Sequence, residues 1–196
     1  MKPKSAYTYL PAVAVFLLCT FATVHLAFAQ DPGMPGGQTA SSQSDSAHLN
    51  QLFASAKTEA AMLQRDSEEL VTFQRQAISW QTHAQQLESM RAHVNQIGQL
   101  EQQMRDARQS GSAWQQEAVD RVNPLLKELA DNLGNTITHA NQHVNQLRLP
   151  AFRDLVDSNA ALATDLNQMI AASVDYGQRK LAFEAAQDRF IQQGDR

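Results

Sequence analysis

Cysteine is almost absent from the chain: Cys19 is the only one in 196 residues. It lies inside an apolar run, so the rest of the chain has no disulfide, no thiolate ligand and no cysteine nucleophile. Aromatic residues make up 7% of the sequence, and past the apolar run β-branched residues are sparse beside Ala and Gln, which argues against a sheet protein. Proline is missing from residues 48–109, and Gly98 is the only glycine there. Several chemistries are excluded by spacing. No glutamate is followed three residues later by histidine, as di-iron bundles require, and there is no Cys-x-x-Cys-His, His-Glu-x-x-His or Gly-x-Ser-x-Gly, which removes the motif-borne haem, zinc-protease and serine-hydrolase readings.

What the chain does contain begins with a leader. Lys2 and Lys4 precede an apolar stretch over residues 12–26, and Ala27-Phe28-Ala29 is a small-x-small site followed by Gln30. This is the pattern of a secretory signal peptide over residues 1–29, cleaved after Ala29, and it places the protein in the periplasm or outside the cell. The alternative is an uncleaved anchor, since about 20 apolar residues can just span a bilayer; only then would the protein sit on a membrane. Leu18 is too large for the small residue that a lipoprotein signal needs before its cysteine. Residues 30–47, rich in Pro, Gly, Ser and Gln, read as a flexible linker.

From residue 48 onwards the apolar residues recur at helical spacing. Leu49, Leu52, Phe53, Ala56, Ala60 and Leu63 form a first stripe, and the polar run after it predicts a boundary at Asp66, with Asp66 and Glu69 as a capping box. Phe73, Trp80, Leu87 and Val94 then follow at intervals of seven, with Met90, Ile97 and Met104 as the companion row. Ser110-Gly111-Ser112 is the clearest internal turn. Beyond it, Leu126, Leu133, Ala140 and Leu147 make one row and Ala130, Ile137 and Val144 the other, with Pro124 kinking or restarting the helix after Asn123. Pro150 opens the last helix, where Leu155, Leu162, Met169, Tyr176, Phe183 and Phe190 are spaced by seven, with Phe152 and Leu166 on the companion row.

The expected fold is therefore all-α: an elongated antiparallel up-down-up helical bundle with coiled-coil-like packing, made of three long helices and a shorter N-terminal one. The predicted helices are 48–65, 67–109, 112–148 and 150–193, within a bundle over residues 48–193. The three long ones would give a body roughly 55–65 Å long at 1.5 Å per residue. A single unbroken helix over 48–109 is the alternative. The predicted core seam comprises Trp80, Leu87, Val94, Ile97, Leu126, Leu133, Ile137, Leu155, Leu162, Met169, Tyr176, Phe183 and Phe190. Phe53, Leu63, Phe73, Val122, Leu125, Leu129, Val156 and Ile191 lie on or beside these seams as surplus apolar surface.

Histidines are the only candidates for a ligand site. His139 and His143 are four apart, a spacing that lets two imidazoles share a metal, but the residues between them supply no carboxylate. His83 sits between Trp80 and Leu87 on the apolar side of its helix, where an interface histidine with one ring nitrogen bonded across the bundle is the ordinary case. A haem or metal site would use His83 with His93, Met90 or the His139/His143 pair; otherwise no cofactor, metal or catalytic residue is expected. Nucleic acid is disfavoured because the basic residues are scattered and acids outnumber them, at a formal net charge of −4.

Trp114-Gln115-Gln116, the run Pro124-Leu125-Leu126-Lys127-Glu128-Leu129-Ala130 and Val174-Asp175-Tyr176-Gly177 resemble stretches of uncharacterised bacterial secreted or periplasmic helical proteins. That resemblance covers roughly residues 67–192 and implies no activity or ligand. In layout alone the chain is also similar to periplasmic chaperones of the Skp or Spy kind, from which its acidity departs, and to minor pilus components of type IV secretion systems. The expected function is that of a non-enzymatic extracytoplasmic bundle acting through protein–protein contact, as an envelope adaptor, assembly factor or chaperone-like factor. Its partner would be another envelope protein or a second copy of itself.

Overall fold

The computed structural model describes the backbone of residues 38–76 and 78–194 and, within these, the side chains of 47–76, 78–187 and 189–193. The expected signal peptide over 1–29 and the linker as far as residue 37 lie outside the described residues. Four helices pack against one another: α1 (Gln38–Gln74), α2 (Trp80–Ala107), α3 (Ala113–Gln142) and α4 (Pro150–Gly194), with one short 3-10 turn over Arg108–Ser110. α1 lies against α2 and α4, and α3 also lies against α2 and α4, so the four close a ring around one core. Among the described residues there is no strand, and no helix is long and apolar enough to cross a membrane.

The helix ends differ from those expected, for local reasons. α1 starts at Gln38, so residues 38–47, expected as linker, are helical. It then runs straight through Asp66, which does not cap a new helix: Asp66 is buried in mid-helix, and its carboxylate accepts from the Ser89 hydroxyl at 2.5 Å. The break falls instead between Gln74 and Trp80, so neither the 48–65/67–109 division nor the unbroken alternative holds. No glycine or proline marks this break. Its signal is Ser79, whose extended backbone and hydroxyl cap α2 by accepting from the Thr82 N–H.

α3 passes Pro124 without restarting. Pro124 is exposed, so the carbonyl that it leaves without an N–H faces solvent. Asn123 spends its amide on Glu101 at 2.9 Å and caps nothing. α3 ends at Gln142, six residues short of the expected bound, and Leu147 folds back to bury itself in the connection to α4. At the other connection Gly111 packs on Leu49, and Arg108 forks onto Asp120 through Nε at 2.7 Å and Nη2 at 2.6 Å. That hydrogen bond, ahead of the opposing desolvation and the favourable charge, holds the Asp120 carboxyl below its ordinary range.

Buried positions alternate by three and four along each helix. On α1 the line runs Leu49, Phe53, Ala56, Ala60, Leu63, Ser67 and Leu70, with Leu52 and Asp66 buried beside it; on α2 it runs His83, Leu87, Met90, Val94, Ile97, Glu101 and Met104, with Leu100 beside it. Leu126 and Leu133 are buried on α3, but their companions are Val119, Val122, Leu129, Thr136 and Ala140; Ile137 is half-buried, and Ala130 and Val144 face out. α4 shows the largest departure from the expected seam. Its core face is Phe152, Val156, Asn159, Ala163, Leu166, Ile170 and Val174. Leu155, Leu162 and Met169 are only half-buried beside it, while Tyr176, Phe183 and Phe190 are exposed, as is Trp80 at the start of α2.

The physical reason is side-chain size and polar satisfaction. The buried row 156/163/170/177 reads Val, Ala, Ile, Gly, which lets neighbouring helices approach more closely than a row of Leu, Met and aromatics would. Asn159, polar and hence a poor core candidate by composition, is fully buried with its amide nitrogen donating to Thr136 Oγ1 at 2.7 Å and to the Leu155 carbonyl at 3.0 Å, while its Oδ1 has no protein hydrogen-bond partner.

Gly177 marks a close approach between helices: a Cβ there would lie 2.7 Å from Cη2 and 2.9 Å from Cζ2 of Trp114, whereas at Gly98 and Gly134 a Cβ would meet nothing within 4 Å. Gly98→Ala and Gly134→Ala should each raise stability by about 0.5–1 kcal/mol through helix propensity. Gly177→Ala should instead lower it by about 1–3 kcal/mol through overpacking. Thermal melts followed by circular dichroism compare the three; a Gly177→Ala protein as stabilised as the other two would show that Trp114 does not lie on α4.

Candidate functional site

Three regions gather the chain's chemistry. The first is a histidine and aromatic cluster where α1 ends, α2 begins and α3 passes to α4. His83 and His139 both lie against the buried Phe152 ring, with centroids 6.1 Å and 5.8 Å away. His139 and His143 are 4.7 Å apart, and Phe73 meets His83 edge-on at 6.1 Å. His83 Nδ1 lies 3.0 Å from the Ser79 carbonyl; since that carbonyl can only accept, the proton is on Nδ1. A cavity of about 110 Å³ lies beside His83, walled by Phe73, Gln74, Trp80 and Leu147. Both amide atoms of Gln74, and Nε2 of His139, are buried without a protein hydrogen-bond partner.

The structure thus brings His83, His139 and His143 together but not His93. His93 lies ten residues along α2 from His83, roughly 15 Å at the helical rise. Met90, the other proposed helper, is fully buried in the core. Among the described residues no three His, Cys, Asp or Glu side chains converge as a metal cage would require. The His139/His143 pair would provide two ligands at most.

The second region is a polar seam between α1 and α2. His93 Nδ1 meets Glu59 at 2.8 Å, and its Nε2 lies 3.6 Å from Asp66. Asp66 also takes the Ser89 hydroxyl, and its carbonyl accepts from Gln86 at 2.9 Å. Serine, histidine and acid are all present, but the serine donates to the carboxylate rather than to the imidazole, so the base never reaches the hydroxyl it would have to activate. Asp66, expected as a helix cap, and Glu101 are both buried acids. Glu101 falls on the three-four alternation of the buried residues of α2, whereas Asp66 lies one position off that of α1, beside Ser67.

The third region is the outer surface of α3 and α4. Trp114 meets Tyr176 edge-on at 5.4 Å and stacks on Phe53 at 6.3 Å. Beside them runs an open groove of about 520 Å³ between the two helices, lined by Trp114, Glu117, Arg121, Met169, Ala172 and Tyr176 among others. The aromatic row continues past the groove: Tyr176 is 54%, Phe183 70% and Phe190 78% exposed. Of the residues expected as surplus apolar surface, Phe53, Leu63, Val122, Leu129 and Val156 are buried, Phe73 and Leu125 half-buried, and only Ile191 exposed. Part of the expected seam has taken their place outside.

Comparison with families of known proteins, with curated proteins and with solved structures returns no match to this chain.

His139→Phe keeps the ring stacked on Phe152 and removes the unpartnered nitrogen. It should leave the melting temperature unchanged or raise it, by up to about 1 kcal/mol in stability, because a buried polar atom without a partner costs about 1–3 kcal/mol. A clear fall in melting temperature, or a rise on adding Zn²⁺ to the unsubstituted chain that His139→Phe abolishes, would show that this nitrogen holds a ligand.

Proposed function

We propose that the protein is an extracytoplasmic, non-enzymatic helical bundle, cut after Ala29 on export, that acts by protein–protein contact through the outer face of α3 and α4. In this reading the four helices alternate in direction and pack in coiled-coil fashion. The cross-helix bonds support the alternation. Lys57 pairs with Asp175 at 3.0 Å and Gln64 with Asn167 at 2.6 Å, so position rises on α1 as it falls on α4. Glu59 with His93 and Asp66 with Ser89 behave in the same way between α1 and α2, as do Glu101 with Asn123 and Arg108 with Asp120 across the next turn. The three-four spacing of buried residues on every helix supports the packing mode.

The observation that carries the functional reading is the exposed line of Tyr176, Phe183 and Phe190 beside the Trp114 groove. Aromatic residues in such a line are costly to leave in water and are typical of interface anchors. The reading as non-enzymatic rests on how the polar groups are spent: Ser89 on Asp66, His93 on Glu59, Glu101 on Asn123 and Arg105, and Asn159 on Thr136. Each joins one helix to another or closes a turn of its own. Envelope adaptor, assembly factor and chaperone-like factor are all roles that this face would serve.

The test is capture from an envelope extract by the full chain and by a Phe183→Glu, Phe190→Glu double variant. Both substitutions are on exposed residues, so the melt should be unchanged. The expected result is at least one protein retained by the unsubstituted chain and lost, tenfold or more, by the variant. An identical set captured by both would contradict the assignment of this face.

A further inference from the structure

The row 155/162/169/176/183/190 has two environments. Where α3 packs on α4, Leu155, Leu162 and Met169 are half-buried. But α3 begins at Ala113, and Trp114 lies at the level of Tyr176 and Gly177. α4 runs on past this level to Gly194, roughly 25 Å at the helical rise. Along that extension the two rows that form the core lower down lose their apolar character: one continues as Lys180 and Gln187, the other as Glu184 and then a single exposed Ile191. Only the aromatic row continues unchanged, and there nothing of α3 lies beside it.

We propose that this row pairs with the same row of a second copy of the chain, the two α4 ends crossing antiparallel about a two-fold axis near Phe183, so that each Phe190 lies at the other's Trp114–Tyr176 groove. This rests on the reading of the α3–α4 face as an interaction surface and names its occupant. The flanking charges select the copy and its direction. In an antiparallel pair each flank of the row faces the same flank of its partner. Lys180 and Glu184 occupy one flank and Asp175 and Arg189 the other. The midpoint of 180 and 184 is residue 182, and so is that of 175 and 189; the midpoint of 176 and 190 is 183. One register therefore sets Lys180 against the second copy's glutamate, Asp175 against its arginine and Tyr176 beside its Phe190. Parallel pairing would set Arg179 and Lys180 level with themselves, where like charges repel.

Forming these contacts displaces little. The intrahelical Lys180–Glu184 pair is long, 3.6 Å, and exposed, so it contributes little where it stands. Asp175 already holds Lys57 and has a second oxygen to share. The groove, at about 520 Å³, is ample for a phenyl ring and is walled by Trp114, Met169 and Tyr176. Aromatic side chains bury about 150–250 Å² each when fully covered. Three from each copy, with the groove wall, give an interface on the order of 1,000 Å², the size that a specific pairing needs. Being isologous, it closes at two copies.

Cysteine substitution tests both partner and direction in the full chain carrying Cys19→Ser, where any introduced thiol is alone. Phe183→Cys should form a covalent dimer on mild oxidation. Tyr176→Cys and Phe190→Cys should each form no covalent dimer alone and cross-link when mixed. Light scattering on the chain without an introduced cysteine should show a dimer, with association weakened at least tenfold by Phe190→Glu at an unchanged melting temperature. Cross-linking of all three variants alone would overturn the antiparallel arrangement. A monomer at every concentration, with no cross-link in any variant, would overturn self-pairing altogether. If extract capture still depended on Phe183 and Phe190 in that case, the face would bind a different protein and the broader reading would stand; loss of both would remove both.

Discussion

The burial of one face of α4 against α1 and α3 decides what the rest of the molecule can do. With no disulfide available beyond Cys19, four helices must be held by packing, and packing improves as helix axes approach. α4 supplies Val156, Ala163, Ile170 and Gly177 on one buried row and Phe152, Asn159 and Leu166 on the next. The small members admit the neighbours closely, and Trp114 fills the space over Gly177. Once that face turns inward, the row of larger residues beside it turns to the flank. Beyond the reach of α3 it is left in water, and the candidate interaction surface follows from that rotation.

Polar groups in the core fix how the helices pair. Asp66 with Ser89, Glu101 with Asn123, and Asn159 with Thr136 each join two different helices. A buried polar group costs free energy unless it finds its partner. A slip along α1–α2, α2–α3 or α3–α4 would separate one of these pairs, so they penalise wrong registers more than they stabilise the right one. His83 acts locally instead, with Nδ1 on the carbonyl of Ser79, the cap of its own helix, and its ring against Phe152 of α4.

The helical class and the buried rows of α2 were legible in the sequence, because Leu87, Met90, Val94, Ile97 and Met104 are apolar and are indeed buried. α4 was misread by one row. Six large residues at intervals of seven outweighed a companion row broken by Asn159 and Ser173, and composition has no way to show that the Asn159 amide nitrogen would find Thr136 on another helix. The break between α1 and α2 was missed because a lone serine cap marks it, and the interval of seven from Phe73 to Trp80 carried the pattern across the gap. At the candidate surface Tyr176, Phe183 and Phe190 were named but placed inside. The polar turn of both neighbouring rows at Lys180, Glu184 and Gln187 was the signal that the core had ended.

Which row of α4 is inside is therefore the central claim, and paired alanine substitution tests it most directly. Ile170→Ala and Phe183→Ala are compared by urea unfolding at protein concentrations low enough to keep the chain monomeric. The account predicts a loss of about 2–5 kcal/mol for Ile170→Ala, the cost of truncating a fully buried aliphatic residue, and a change within about 0.5 kcal/mol for the exposed Phe183. The reverse order, with Phe183 costing more than Ile170, would turn α4 about its axis and place the aromatic row in the core.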